Sequence, residues 1–310
     1  MKKLLYMMSA MAILLAVTSC GKDDDFTESI YDTTVQAVDT NAATYDFDKW
    51  LYDNFTKPYN VEVQYKFNLP ASDYSFQLAP ASYEKSQLLA YFIKYLFYDV
   101  YIKYAGEGFM KQYGPRIFHF IGSSGYSPNT GTEVLGLASG GVKITLYNLN
   151  EMKAYTPGVS YSATDIDVLN EKYFHTMHHE FFHIMTQTRN FPTDFNLISA
   201  GKYHTSDWIN VDDDEAPLEG FVTGYASSEP NEDMAEVFST YVTSTDKVWN
   251  QIMNQAIVDG DMTYYNVLQQ KVDMVRDYLN DSWGISLDAL REEVLKRTAG
   301  VYDLDLKTLK

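Results

Sequence analysis

The period of apolar and polar positions changes several times along the chain, and each change predicts an element. Val61, Val63, Tyr65 and Phe67 alternate with Glu62, Gln64 and Lys66, the period of a half-buried strand. Residues 83–104 (YEKSQLLAYFIKYLFYDVYIKY) are apolar on most faces, with Lys and Asp spaced through them. That pattern predicts a buried helix and not a membrane span. Residues 46–54 predict a short helix. Residues 116–121 and 143–148 predict strands, and the Gly/Ser-rich run between them, 122–141, predicts a loop. No Pro or Gly interrupts 171–189, which predicts a longer helix, with Thr164, Asp165 or Asn170 as candidate caps. Met234, Val237, Phe238 and Tyr241 recur at helical spacing, so 231–242 predicts another helix, capped by Ser228 or Asn231. Residues 246–279 and 287–296 read as C-terminal helices. Strands before the 171–189 helix and helices after it make an α+β chain, with a small sheet packed on that helix and a helical lobe at the C-terminal end.

The first residues change the picture of where this domain starts. Lys2 and Lys3 precede a short apolar run that ends in Val17-Thr18-Ser19-Cys20, the layout of an export signal. Residues 1–19 are expected to be a lipoprotein signal peptide, with Cys20 acylated after cleavage. Cys20 is the single cysteine, so no internal disulfide can form, and lipidation gives that thiol a use. Residues 20–37 read as the acylated Cys and a flexible tether, and 38–310 as one domain. No Asp follows Cys20 directly, and the Lys-Asp-Asp-Asp run after it resembles surface-export signals. The expected location is the outer membrane, facing outward, with a periplasm-facing orientation as the alternative. The formal net charge is −18, which argues against nucleic acid as a partner and against electrostatic adhesion to anionic lipid. Contact with a bilayer would then rest on the acyl chains.

The candidate chemistry lies in 179–183, His-Glu-Phe-Phe-His. Positions i and i+4 share a helical face, so His179 and His183 can both direct an imidazole nitrogen at one Zn²⁺. Glu180, one residue on, can act as general base towards a water at that metal. His175 precedes His179 by the same spacing and is expected to support the site or the fold; His178 faces elsewhere and is expected to be structural. A catalytic zinc site needs a third ligand. The residues after His183 (IMTQTRNF) do not continue as xxGxxH, so the ligand must come from further along. Glu232 and Glu236 stand i,i+4 on the 231–242 helix, and two carboxylates beside apolar residues call for a positive partner.

HExxH with a downstream Glu-x-x-Ala-Glu helix resembles the gluzincin metallopeptidases, among them the catalytic domain of anthrax lethal factor. That resemblance implies a zincin-like fold, with Glu232 as third ligand, Glu236 as a partner of a zinc-bound His, and Tyr225, seven residues before Glu232, as donor to the transition state. His204 and Tyr203 are the other candidates for that donor. The segments 50–67, 134–150, 175–187 and 220–238 are similar to a family of bacterial lipoproteins described as zinc-binding metallopeptidases or substrate-import-associated zinc metallohydrolases. This similarity implies a zinc peptidase acting on peptide or protein, with outer-membrane import components as possible partners. Within that frame Phe182 is expected to narrow the site and 143–148 to be the edge strand that pairs with substrate. The alternatives are a non-catalytic surface binding lipoprotein of an import complex and a zinc amidase acting on a non-peptide substrate.

Overall fold

The computed structural model describes residues 38–127, 131, 133–134, 136–139, 142–155 and 161–304. The expected signal peptide (1–19), Cys20 and the expected tether (20–37) lie outside the described residues. Two units divide near Tyr45. The described part of the first is a run of turns over 38–45, in which the Ala42 amide donates to the Asp39 carbonyl. The second unit, from Asp46, carries everything discussed below.

Its first helix, α1 (Tyr45–Leu51), continues through π-helical Tyr52–Thr56 to Lys57–Tyr59 and ends at left-handed Asn60. Strand β1 (Glu62–Gln64) follows, with Val61, Val63 and Tyr65 buried as the alternation requires. A long helix then runs as α2 (Tyr83–Phe92), a π segment (Ile93–Tyr98) and α3 (Asp99–Ala105). After α4 (Glu107–Tyr113) comes β2 (Ile117–Phe120). The run expected to be a loop instead holds β3 (Gly125–Tyr126), β4 (Glu133–Val134) and β5 (Gly136–Ser139). Strand β6 (Lys143–Leu146) completes a four-stranded sheet of order β1-β2-β6-β5. The first three strands are parallel and β5 is antiparallel to β6. Strand β6, within the expected 143–148, is therefore interior to the sheet, and its edges are β1 and β5. The architecture is mixed α/β, with helices α2–α4 inserted between β1 and β2 as parallel pairing requires.

The central helix begins at α5 (Ala163–Leu169), passes a π segment (Asn170–Phe174) and continues as α6 (His175–Thr188). Its cap is Ser162, not Thr164, Asp165 or Asn170. Ser162 Oγ accepts from the Asp165 amide while the Asp165 carboxylate accepts from the Ser162 amide, a reciprocal capping box. A short helix, α7 (Phe195–Ile198), precedes a long irregular stretch. Helix α8 (Pro230–Thr243) starts with Pro at its first position and Glu229 as the flanking cap residue, ahead of the expected Asn231 and in place of Ser228. Then come α9 (Asp246–Gln255), α10 (Thr263–Tyr278) and α11 (Leu287–Ala299).

Helices α6 and α8 meet through aromatics. Phe182 stacks on Phe238 at 4.6 Å and touches Phe191 and Tyr278, with 1% of its surface exposed. It belongs to the core and does not narrow the site. On the other flank of α6, Phe181 packs against Phe97, Tyr101 and Phe109. His178 is fully buried there with Nδ1 at 2.8 Å from the Tyr101 hydroxyl, and burial pushes its pKa down to about 3, so it is a neutral structural residue. Strand β5 comes close to the same helix: a Cβ on Gly136 would lie 2.3 Å from Thr176 Cγ2, so glycine is required for that approach.

Candidate metal centre

Two helices carry the candidate ligands. On α6, His179 and His183 are one turn apart, and α8 brings Glu232 opposite them. His179 Nε2 is 2.9 Å from Glu232 Oε2 and 3.0 Å from His183 Nε2; His183 Nε2 is 3.3 Å from the same carboxylate oxygen. Ligand atoms about 2.0–2.2 Å from a tetrahedral zinc stand roughly 3.3–3.5 Å apart, so this triangle is close to the required size. Two imidazoles and one carboxylate are also the donor chemistry of an open zinc site. The residues fit a metal of that kind.

The electrostatics point the same way. Burial alone would lower the His179 pKa, but its bonds to Glu232 and Glu236 push it up to about 10. Burial alone would raise the Glu232 carboxyl, but His179 and His183 hold it well below the usual range. Two carboxylates against two imidazoles in a buried setting favour positive charge there, and a metal ion competes with a proton for that place.

A layer of partners stands behind the triangle. His179 Nδ1 is 2.8 Å from Glu236 Oε1, which fixes the ring so that Nε2 faces the ligand side. Burial would raise the Glu236 carboxyl, but His175 and His179 hold it well below the usual range. His175 Nε2 lies 2.8 Å from that same oxygen, and Thr223 Oγ1 donates to Glu236 Oε2 at 2.7 Å. His175, His179 and Glu236 thus form a second cluster that could hold an ion, sharing His179 with the first. Further back, Asp233 and Lys271 are both fully buried and 2.6 Å apart. The Tyr203 hydroxyl donates to Asp233, and Lys271 also donates to the Gly220 carbonyl.

Tyr225 reaches the site from the irregular stretch. It opens a 3₁₀ turn (Tyr225–Ser227), and its ring lies 5.8 Å from that of His179 and 4.9 Å from Trp208. The preceding Gly224 is needed: a Cβ there would meet the Val211 carbonyl at 2.0 Å, and its amide donates to Asp213 Oδ1. Burial, with the nearby Glu232 charge, raises the Tyr225 pKa, so the hydroxyl keeps its proton and can donate it. The other two candidate donors are engaged elsewhere, Tyr203 with Asp233 and His204 with Glu219 at 2.7 Å. Glu180, His183, Tyr225 and Glu232 line one side of a cleft of about 620 Å³.

Thr223, Trp208, Asp213 and the Asp233–Lys271 pair escaped sequence reasoning. Most sit in 200–229, where no hydrophobic period marks an element. The one available signal was Asp233 among apolar positions of α8, a buried acid in need of a partner.

No curated protein matches the chain. A solved structure does: a putative zinc-binding metallo-peptidase from Bacteroides caccae ATCC 43185 is similar at 36% identity, over 86% of this chain and 96% of that one, with a TM-score of 0.69. The family described as putative zinc-binding metallo-peptidase matches residues 40–288, a span that contains both α6 and α8. The chain therefore belongs to this family of zinc-binding metallopeptidases, and its His/Glu group is one able to hold the metal.

Proposed function

We propose that the protein is a zinc-dependent peptidase of the gluzincin type, with a zincin-like fold. The observation that carries this is the convergence of His179, His183 and Glu232 on one point beside Glu180, in an open cleft. Three protein ligands leave a coordination position for water, whereas a structural site is closed by four. Zinc held by these three residues would supply Lewis acidity, enough to bring the pKa of a water towards ~7 and to polarise the scissile carbonyl. Glu180 accepts the proton of the attacking water and passes it to the leaving amine. Tyr225 donates its hydroxyl hydrogen to the oxyanion that develops on the carbonyl oxygen. Glu236 holds the His179 ring in place through Nδ1, and His175 and Thr223 hold Glu236. Strand β5, the open edge beside α6, offers its backbone to an extended peptide.

The same reading places the chain at the outer membrane by acylation of Cys20, facing outward, in association with nutrient-import components. In this reading the anchor is the acyl chains on Cys20. No helix among the described residues is long and apolar enough to cross a membrane. The test of function is cleavage of a diverse peptide library by the zinc-loaded protein beside Glu180→Gln. Wild-type cleavage with loss of about 10²–10⁴-fold in the variant, at equal zinc content, supports the reading. Equal rates in the two proteins reject it.

A further inference from the structure

The cleft carries one carboxylate that the proposed mechanism does not use. Glu229 flanks the start of α8, three residues before Glu232, and lines the cleft with Glu180, His183 and Tyr225. It is exposed, it does not cap its helix, and among the described residues no hydrogen bond or ion pair reaches its carboxylate. Among the described residues no Lys or Arg lines the cleft. The charge count is therefore unbalanced. Glu232 and Glu180 face the two positive charges of a zinc ion, and Glu236 is bonded to His175, His179 and Thr223 behind them, so among the described residues Glu229 is the cleft carboxylate left without a partner. The rest of the lining suits a long polar side chain. Phe191, Pro192 and Met234 offer apolar wall for a methylene stem, and the side-chain amides of Gln187 and Asn190 line the same cleft.

We propose that this cleft selects peptides bearing lysine or arginine beside the scissile bond, and that Glu229 is the residue that reads the charge. The inference rests on the peptidase reading above and gives it a substrate class. Among the described residues no hydrogen bond or ion pair joins the Glu229 side chain to His179, His183 or Glu232, so its replacement is expected to leave the metal in place.

The experiment measures binding, so that it does not depend on turnover. Short fluorescent peptides, identical except for Lys, Arg, Gln or Glu at one position, are titrated against zinc-loaded Glu180→Gln at low and high salt. The same titration follows with Glu229→Gln added. The expected result is about 5–10-fold tighter binding of the Lys and Arg peptides than of the Gln peptide, the size of a partly exposed charged hydrogen bond. The Glu peptide binds weakest, and the preference shrinks with salt. With Glu229→Gln the Lys, Arg and Gln peptides bind within about twofold of one another, at unchanged zinc content. No preference in the Glu229 protein, no peptide binding at all, or a preference that survives Glu229→Gln overturns the proposal. Charge-selective binding without wild-type turnover of the same peptides instead sinks the peptidase reading and leaves this one standing.

Discussion

Lys271→Met is expected to be far more damaging than loss of one side chain suggests. Lys271 and Asp233 are both fully buried and 2.6 Å apart, so the variant leaves a carboxylate in the core without its cation. Breaking a buried pair in this way costs about 3–5 kcal/mol, and the Gly220 carbonyl also loses its donor, worth about 1 kcal/mol. For a domain of this size each kcal/mol moves Tm by roughly 2–4 °C, so the shift is on the order of 10 °C. Asp233 follows Glu232 on α8, so zinc affinity should weaken as well. The assay is thermal unfolding by circular dichroism in excess chelator, which removes the contribution of bound metal. The double variant Asp233→Leu/Lys271→Met removes both charges and should be more stable than the single, because only the Gly220 carbonyl and Tyr203 hydroxyl lose partners. The pH dependence has a definite sign. Burial raises the Asp233 carboxyl above its unfolded value, so the charge penalty is absent below that unfolded value and complete above the folded one. The deficit of Lys271→Met against wild type should shrink as pH falls from 8 to 5. A Tm within about 2 °C of wild type, or a double variant less stable than the single, refutes the reasoning.

Three further outcomes are expected. Tyr225→Phe should fold and bind zinc normally but lose about 10²–10³-fold in kcat with little change in KM; kinetics within about twofold of wild type would remove Tyr225 from the mechanism. Glu236→Ala should weaken zinc binding by about 10–100-fold without abolishing it, read by competition with a chelating dye. Cys20→Ser should move the protein from the membrane fraction to the soluble one, read by fractionation and immunoblot, and persistent association would point to a protein partner.

Much of the site was legible because helical periodicity and ligand chemistry coincide in α6 and α8. His179, Glu180 and His183 follow from spacing alone. Glu232 and Glu236 stood out as acids at i,i+4 beside the apolar stripe of α8, and the structure brings both to His179. Strand β5 was hidden because Gly136 and its neighbours read as loop composition. The close approach to Thr176 that demands glycine exists only in three dimensions. The break between α9 and α10 was readable and missed. Asp259 and Gly260 both have positive φ, the signature of an Asp-Gly turn, and the isolated bridge Val258–Asp261 closes it. Phe182 was misplaced because position within a motif says nothing of which flank packs on Phe238. Trp208, which packs on Tyr225, comes from 200–229, a stretch whose conformation is set by single contacts such as Gly224 to Asp213 rather than by any period.

The central claim is that His179, His183 and Glu232 hold one catalytic zinc while His175 and Glu236 only support it. Zinc content per chain, measured by plasma mass spectrometry after equilibration with buffered zinc, tests this directly on wild type, His183→Ala and His175→Ala. The account predicts one zinc per chain in wild type and in His175→Ala, and none in His183→Ala. Zinc retained by His183→Ala but lost from His175→Ala would place the ion between His175, His179 and Glu236 and contradict the account.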